Sequence, residues 1–180
     1  MIRYCLAFLL VALVLPLNAA SEERGGSFCV VPAVLMPAGR LDAAFYAAPQ
    51  VNLDFDVGIS PHWSVIFGAG FSDHESKANP DTRLVLAPTW FGFKSKAQIL
   101  PTVELYWDFA GELAYEKEYF RGSGIGSIEN LDGGVTVGAG FDLWLTKWLV
   151  TGVESKAHLL IEPGEVFPMV QLGLRLGIRG

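Results

Sequence analysis

Apolar and polar residues alternate with a period of two through most of this chain, which restricts it to a fold of strands with one greasy face each. From Gln50, one face reads Val51, Leu53, Phe55, Val57, Ile59 and the other Gln50, Asn52, Asp54, Asp56, Gly58. From Thr102, Val103, Leu105, Trp107, Phe109, Leu113 and Tyr115 oppose Thr102, Glu104, Tyr106, Asp108 and Glu112. From Leu131, Leu131, Val135, Val137, Ala139, Phe141 and Leu143 oppose Asp132, Gly134, Thr136, Gly138, Gly140 and Asp142. In the last segment Val166, Val170, Leu172, Leu174, Leu176 and Ile178 oppose Gln171, Gly173, Arg175 and Gly177.

Weaker segments fill the gaps. Trp63 to Phe71 alternates, and Trp148 to Leu160 sets Glu154, Lys156 and His158 against Leu149, Val153, Ala157 and Leu159. Arg83 to Lys94 is apolar on both faces, which leaves its orientation open, as it is for Cys29 to Met36 with Pro32 inside it. Eight strands result, near 28–37, 50–60, 63–71, 82–94, 101–115, 131–143, 148–160 and 166–178. Ser60-Pro61-His62, Ser95 to Leu100 and Trp144 to Lys147 read as tight turns. Ala38 to Pro49, Ser72 to Asp81 and Glu116 to Asn130 read as longer loops, and Ile161 to Glu165 as a short one. The segments suffice for tilted membrane strands of about 9–11 residues, and an even strand number with alternating short and long connections suits such a barrel.

Export fits this reading. Arg3, the apolar run Leu6 to Leu15 and the small residues before Ser21 lay out a secretory signal peptide over 1–20, leaving 21–180 as one barrel domain. The chain is 51% hydrophobic and 18% charged, yet Gly, Pro or charge breaks every later apolar stretch before it can span as a helix. Its 13 bases less Arg3 leave 12 against 19 acids, a formal charge of −7, which disfavours nucleic acid as a partner. Cys5 lies in the signal, so Cys29 has no intrachain disulfide partner and no paired-Cys metal site is expected.

Alternation also suits a soluble barrel with an apolar cavity. Two features favour the opposite orientation, apolar face outward: the bulk of Trp63, Phe67, Phe71, Trp107, Phe109 and Phe141, and the glycines of the other face, which make poor water-facing strand but leave room inside a narrow eight-stranded bore. The expected fold is an all-β, eight-stranded, antiparallel up-and-down transmembrane β-barrel. Trp63, Trp90, Tyr115, Tyr119, Phe120, Trp144, Trp148 and Phe167 near strand ends would form aromatic girdles.

Two stretches carry a likeness: the hairpin Gly134 to Glu154, GVTVGAGFDLWLTKWLVTGVE, and the C-terminal QLGLRLGI of Gln171 to Ile178. The chain resembles the small outer-membrane β-barrel superfamily of OmpA/OmpX-like proteins. The resemblance implies a bacterial outer-membrane location, outer-membrane lipid and lipopolysaccharide as surroundings, and an insertion signal at Gln171, Gly173, Leu176 and Ile178 for the barrel-assembly machinery. The chain ends Arg179-Gly180 rather than on an aromatic, a departure from that signal. Fold alone names no activity.

The inferred lumen holds Asp54, Asp56, Glu104, Asp108, Glu112, Asp132, Asp142 and Glu154, with Lys156, His158 and Arg175 as bases. Such charges must be paired or wetted. They read first as a salt-bridge and water network and second as an acid-lined cation conduit. No catalytic residue is assigned, and a structural, surface-interaction or minor permeability role is expected. The alternatives are a lipid A-modifying enzyme and a soluble lipid-binding barrel. For a hydrolase His74 with Ser76, or His158, are the weak candidates, because a nucleophile needs an adjacent base; His74 reads first as a solvated loop histidine. No phosphate loop, zinc motif or EF-hand occurs, so neither cofactor nor metal is expected. Glu116 to Arg121 mixes charge and aromatics, either as a solvated rim or as a surface for an external partner.

Overall fold

The computed structural model describes residues 25–120, 126–162 and 164–180. The expected signal peptide and loop residues 121–125 lie outside these. Eight strands follow in order: β1 (Gly26–Pro37), β2 (Ala48–Ser60), β3 (Trp63–Glu75), β4 (Thr82–Leu100), β5 (Val103–Phe120), β6 (Ser127–Trp144), β7 (Leu149–Glu162) and β8 (Glu165–Arg179). Each pairs antiparallel with its neighbours, and β1 also pairs with β8, closing the barrel. Closure matters because hydrocarbon offers no hydrogen bonds to an open strand edge.

The alternation resolves as anticipated. Trp107 and Phe141 are half exposed on the outer wall, whereas Asp54, Asp108 and Asp142 are buried in the lumen. Phe55 also points outward, but Phe28 and Phe67 cover it, with ring centroids at 4.9 and 4.7 Å. The outer wall carries Val51, Phe71, Phe91, Phe93, Leu105, Phe109, Leu113, Val137, Leu172 and Leu174 as one exposed greasy belt. At the long-loop end it stops where outward residues turn charged: Asp73 and Glu75 on β3, Arg83 on β4, Lys117 on β5 and Glu129 on β6.

The open orientations also resolve. On β4, Leu84, Leu86, Trp90 and Lys94 face inward and Phe91 and Phe93 outward; on β1, Cys29, Val31 and Leu35 face inward. Pro32 and Pro88 each interrupt one ladder. The β1–β8 register lapses between Val30 and Ala33, and the β3–β4 register between Ala69 and Ser72, while β1–β2 and β4–β5 run past the prolines without a lapse. A proline lacks the N–H needed on one side only.

Several boundaries shift. β3 continues to Glu75, β4 absorbs the expected turn Ser95 to Leu100, and β5 and β6 pair from Glu116↔Asn130 to Tyr119↔Ser127, where a loop was expected. The hairpin therefore stands above the belt. A short helix, α1 (Arg40–Ala44), lies in the first long connection; it starts at Gly39, whose φ of 61° is in the left-handed region that glycine tolerates. Of the expected girdle, Trp63, Tyr119 and Trp148 are exposed on the wall. Trp90 is instead 3% exposed in the lumen, where Gly68 leaves space for its indole (a Cβ there would lie 2.5 Å from Trp90 Cε2). Trp144 and Phe167 likewise pack against interior clusters. These three ring placements correct the girdle.

Val137 lies mid-strand on the greasy wall, opposite Phe109 and Ala157. Val137→Arg is expected to lower folding stability in lipid bilayers by about 2–4 kcal/mol. Reversible denaturant titration in vesicles checks this, and a loss near zero would mean that the wall does not face lipid.

Candidate functional site

The lumen is filled in layers. At the long-loop end Leu35, Phe45, Leu84, Leu86, Ala114, Leu160 and Met169 make an apolar plug, and Leu41 and Ala44 of α1 pack onto it from above. Phe45 bridges to Ser76, Tyr46 N–H donates to the Glu75 carbonyl, and Lys77 donates to the Asp42 carbonyl, tying the helix to the β3 end. At the short-turn end Cys29, Val31 and Val150 form a second apolar layer over Trp144.

Charges occupy the space between. Arg175 is the hub: Nη1 lies 3.0 Å from Asp54 Oδ2 and 2.8 Å from Glu154 Oε2, and Nε lies 3.0 Å from Asp142 Oδ1. Its Nη2 reaches Cys29 Sγ at 3.2 Å, and its guanidinium stacks 5.1 Å from the Tyr106 ring. Lys156 bridges Asp54 (3.1 Å) and Glu154 (3.4 Å) and lies 4.7 Å over Trp90. Lys94 and Lys96 hold Asp56 at 3.0 and 2.8 Å. His158 sets Nδ1 2.9 Å from Glu112 and Nε2 3.3 Å from Gln171 Oε1, so both ring nitrogens face oxygen acceptors. Gln171 completes the mesh, accepting from Asn52 at 2.9 Å and donating to Glu154 at 2.6 Å.

Most of the lumen residues read from the sequence meet here. Three stand apart. Asp108 is buried with Oδ1 unpartnered and packs toward Gly138, where a Cβ would lie 2.6 Å from that oxygen. Glu104 is half-buried and lines an open cavity of about 470 Å³ at the short-turn mouth with Trp144, Lys147 and Arg179. Asp132 sits at the opposite mouth. The alternation missed Lys94 and Lys96: Lys94 fell in the segment whose faces could not be told apart, and Lys96 was read into a turn. With them the carboxylates of the network, Asp54, Asp56, Glu112, Asp142 and Glu154, meet Lys94, Lys96, Lys156, Arg175 and the His158 ring, while Asp108, Glu104 and Asp132 keep the bore acidic as a whole. Gln50, Asn52, Trp90 and Thr136 retain buried polar atoms without a protein partner, which marks room for ordered water.

His74 is a correction. It is fully buried on β3 rather than solvated in a loop. Its partner is Ser72, at 3.1 Å from Nε2, while Nδ1 lies 2.9 Å from the Tyr46 carbonyl. The carbonyl fixes the proton on Nδ1, so Nε2 accepts from the serine hydroxyl. Ser76 instead caps a turn, accepting from the Ala78 and Asn79 N–H groups. The Ser72–His74 pair has the polarity of a nucleophile and its base, but both side chains are buried, with Leu86 and Leu84 of the plug as their ladder partners, and a main-chain carbonyl stands where a triad carboxylate would be. Burial lowers the His74 pKa.

Beyond the belt the electrostatics reverse. Glu116, Asp132 and Glu162 crowd the long-loop mouth, and burial with the neighbouring carboxylates Asp132, Glu162 and Glu118 pushes Glu116 up to about 7.

No family model and no curated sequence matches the chain. Its fold is that of solved outer-membrane barrels. Ail, the attachment invasion locus protein of Yersinia pestis, aligns at TM-score 0.59 and 13% identity over 89% of this chain and 100% of Ail. Neisserial surface protein A aligns at 0.61 and 13% over 87% and 95%. OprG from Pseudomonas aeruginosa aligns at 0.64 and 12% over 89% and 98%. The chain therefore shares the fold of these outer-membrane β-barrels, with a greasy belt on its outer wall.

Two tests follow from this geometry. Arg175→Met leaves Asp54, Asp142 and Glu154 short of a cation and is expected to cost about 3–5 kcal/mol in denaturant unfolding; an unchanged midpoint would show the network to be dispensable. The second concerns acid. An unfolded histidine binds its proton near pH 6.5, above the lowered value of folded His74, so stability is full above that pH and falls as pH drops through both values. His74→Gln keeps a donor for the Tyr46 carbonyl and should flatten this limb between pH 7 and 5, as read from unfolding midpoints.

Proposed function

We propose that the protein is a sealed outer-membrane barrel that acts at the cell surface, as a structural and surface-interaction element, and does not pass solutes. The observation that carries this reading is the filled bore: two apolar layers enclose the Arg175–Lys156–Glu154 mesh. An eight-stranded barrel has just enough interior for side chains, and here large ones occupy it. The earlier alternative of an acid-lined conduit loses support as Lys94 and Lys96 offset the carboxylates.

The long-loop end carries the features suited to contact. The β5–β6 hairpin rises past the belt with Lys117 paired to Glu129 at 2.7 Å and lying 5.0 Å over the Tyr119 ring. Arg40–Glu165, Lys77–Asp42 and Arg83–Asp73 pairs rim the same end. Surrounding lipid and lipopolysaccharide are the expected neighbours of this rim, and the names of Ail and Neisserial surface protein A point to roles at the same surface. For assembly, Gln171 and Gly173 face inward and Leu176 and Ile178 outward on closing strand β8, an alternation that supports reading the four as an insertion signal.

A lipid-modifying hydrolase is the second reading, supported by Ser72–His74 alone. Planar-bilayer recording separates the first reading from a channel. Wild-type protein should give no discrete conductance, and a conductance altered by Glu104→Gln or Lys156→Gln would overturn the sealed-barrel reading. Lipid A acylation that changes on expression of wild type but not of Ser72→Ala would establish the hydrolase in its place.

A further inference from the structure

We propose that Glu116, Asp132 and Glu162 form a calcium site at the long-loop mouth of the barrel. The three belong to adjacent strands β5, β6 and β7. Register brings them together: Glu116 pairs with Asn130, two positions from Asp132 on the same face, and Gly133 pairs with Ile161, which sets Asp132 beside Glu162. One carboxylate oxygen from each lies within 4.8 Å of the others. Oxygens that close share a common point at, or within a few tenths of an ångström of, the roughly 2.3–2.6 Å at which calcium binds oxygen.

A second observation points the same way. Asp132 is nine-tenths buried (9% exposed), and its Oδ2 has no hydrogen-bond partner. A buried carboxylate oxygen without a donor is unfavourable unless a cation meets it. In the network below, Asp54, Asp56, Asp142 and Glu154 each hold a lysine or arginine within 3.4 Å. Among the described residues, none of the three mouth carboxylates has such an ion pair. Of the described basic residues at this end, Lys117 pairs with Glu129 and Arg40 with Glu165.

The donor set selects the ion. All three ligands are hard oxygens, with no imidazole or thiolate to favour zinc or copper. Glu116 and Glu162 are only half-buried, which leaves a route in from solvent and room for waters. A loose shell of carboxylates and waters suits the six to eight ligands of calcium better than the strict octahedron of magnesium. A bound ion would bridge three neighbouring strands just above the greasy belt, where the β5–β6 hairpin leaves the membrane.

The test uses protein purified in a phosphate-free, non-ionic detergent, stripped with chelator and titrated with calcium alone. Calorimetry should show one saturable site per chain, with thermal unfolding shifted upward by calcium. Asp132→Asn should weaken binding at least tenfold, while Glu129→Gln, a rim carboxylate outside the cluster, should leave it unchanged. Should Asp132→Asn fail to fold, as judged by loss of heat-modifiable migration, Glu162→Gln at the strand end serves instead and should weaken binding in the same way. Absence of saturable binding in wild type, or binding retained in a folded cluster variant, would overturn the proposal.

Discussion

Within hydrocarbon a backbone amide has no partner except another part of the chain, and nearly every feature of this barrel answers that constraint. It dictates an even run of antiparallel strands, the β1–β8 seam that removes the last edge, and the short turns that keep unpaired groups at the aqueous ends. Prolines fit where only one ladder is weakened. Once the wall has closed, alternate side chains are committed to the bore whatever their chemistry. The interior must then solve a packing and charge problem that the wall imposes on it.

That problem is solved by separation along the axis. Apolar side chains gather near the two ends, and ionised ones gather between them, where Arg175 and Lys156 each meet more than one carboxylate. Arg175 suits the hub position because its planar fork engages Asp54, Asp142 and Glu154 from one rigid group, whereas lysine offers a point charge on a flexible stem. A bore filled in this way is the basis for proposing a barrel that passes no solutes. What remains for the outside world is the rim.

The outer wall was legible in the sequence because lipid demands a continuous greasy face, and Val51 to Ile59 or Leu172 to Ile178 show it plainly. The inner face was legible only where it is polar. On β1 and β4 the plug places Leu35, Leu84 and Leu86 inward, and Trp90 packs inward on Ile66 and Ala110, so both faces look alike and the period-two signal cancels. Lys94 was lost with that segment. The burial of His74 was missed for a different reason: Ser72 to Glu75 has the composition of a turn, yet it continues the alternation, with Asp73 and Glu75 outside and Ser72 and His74 within. Extending the parity of Ile66, Gly68 and Gly70 by two more residues would have placed it. Contacts such as Asp132 with Glu162 depend on strand stagger, which composition does not encode.

Cys29, the one cysteine among the described residues, shows what the layered bore does for a thiol. The compartments through which exported proteins pass are oxidising, and an unpaired cysteine there is open to mixed disulfides while the chain is extended. In the finished barrel the residue is 1% exposed, clustered with Val31 and Val150 and beside the Arg175 guanidinium. Thiol reagents would then distinguish chains caught before insertion from completed ones, so this single atom records when the wall closes.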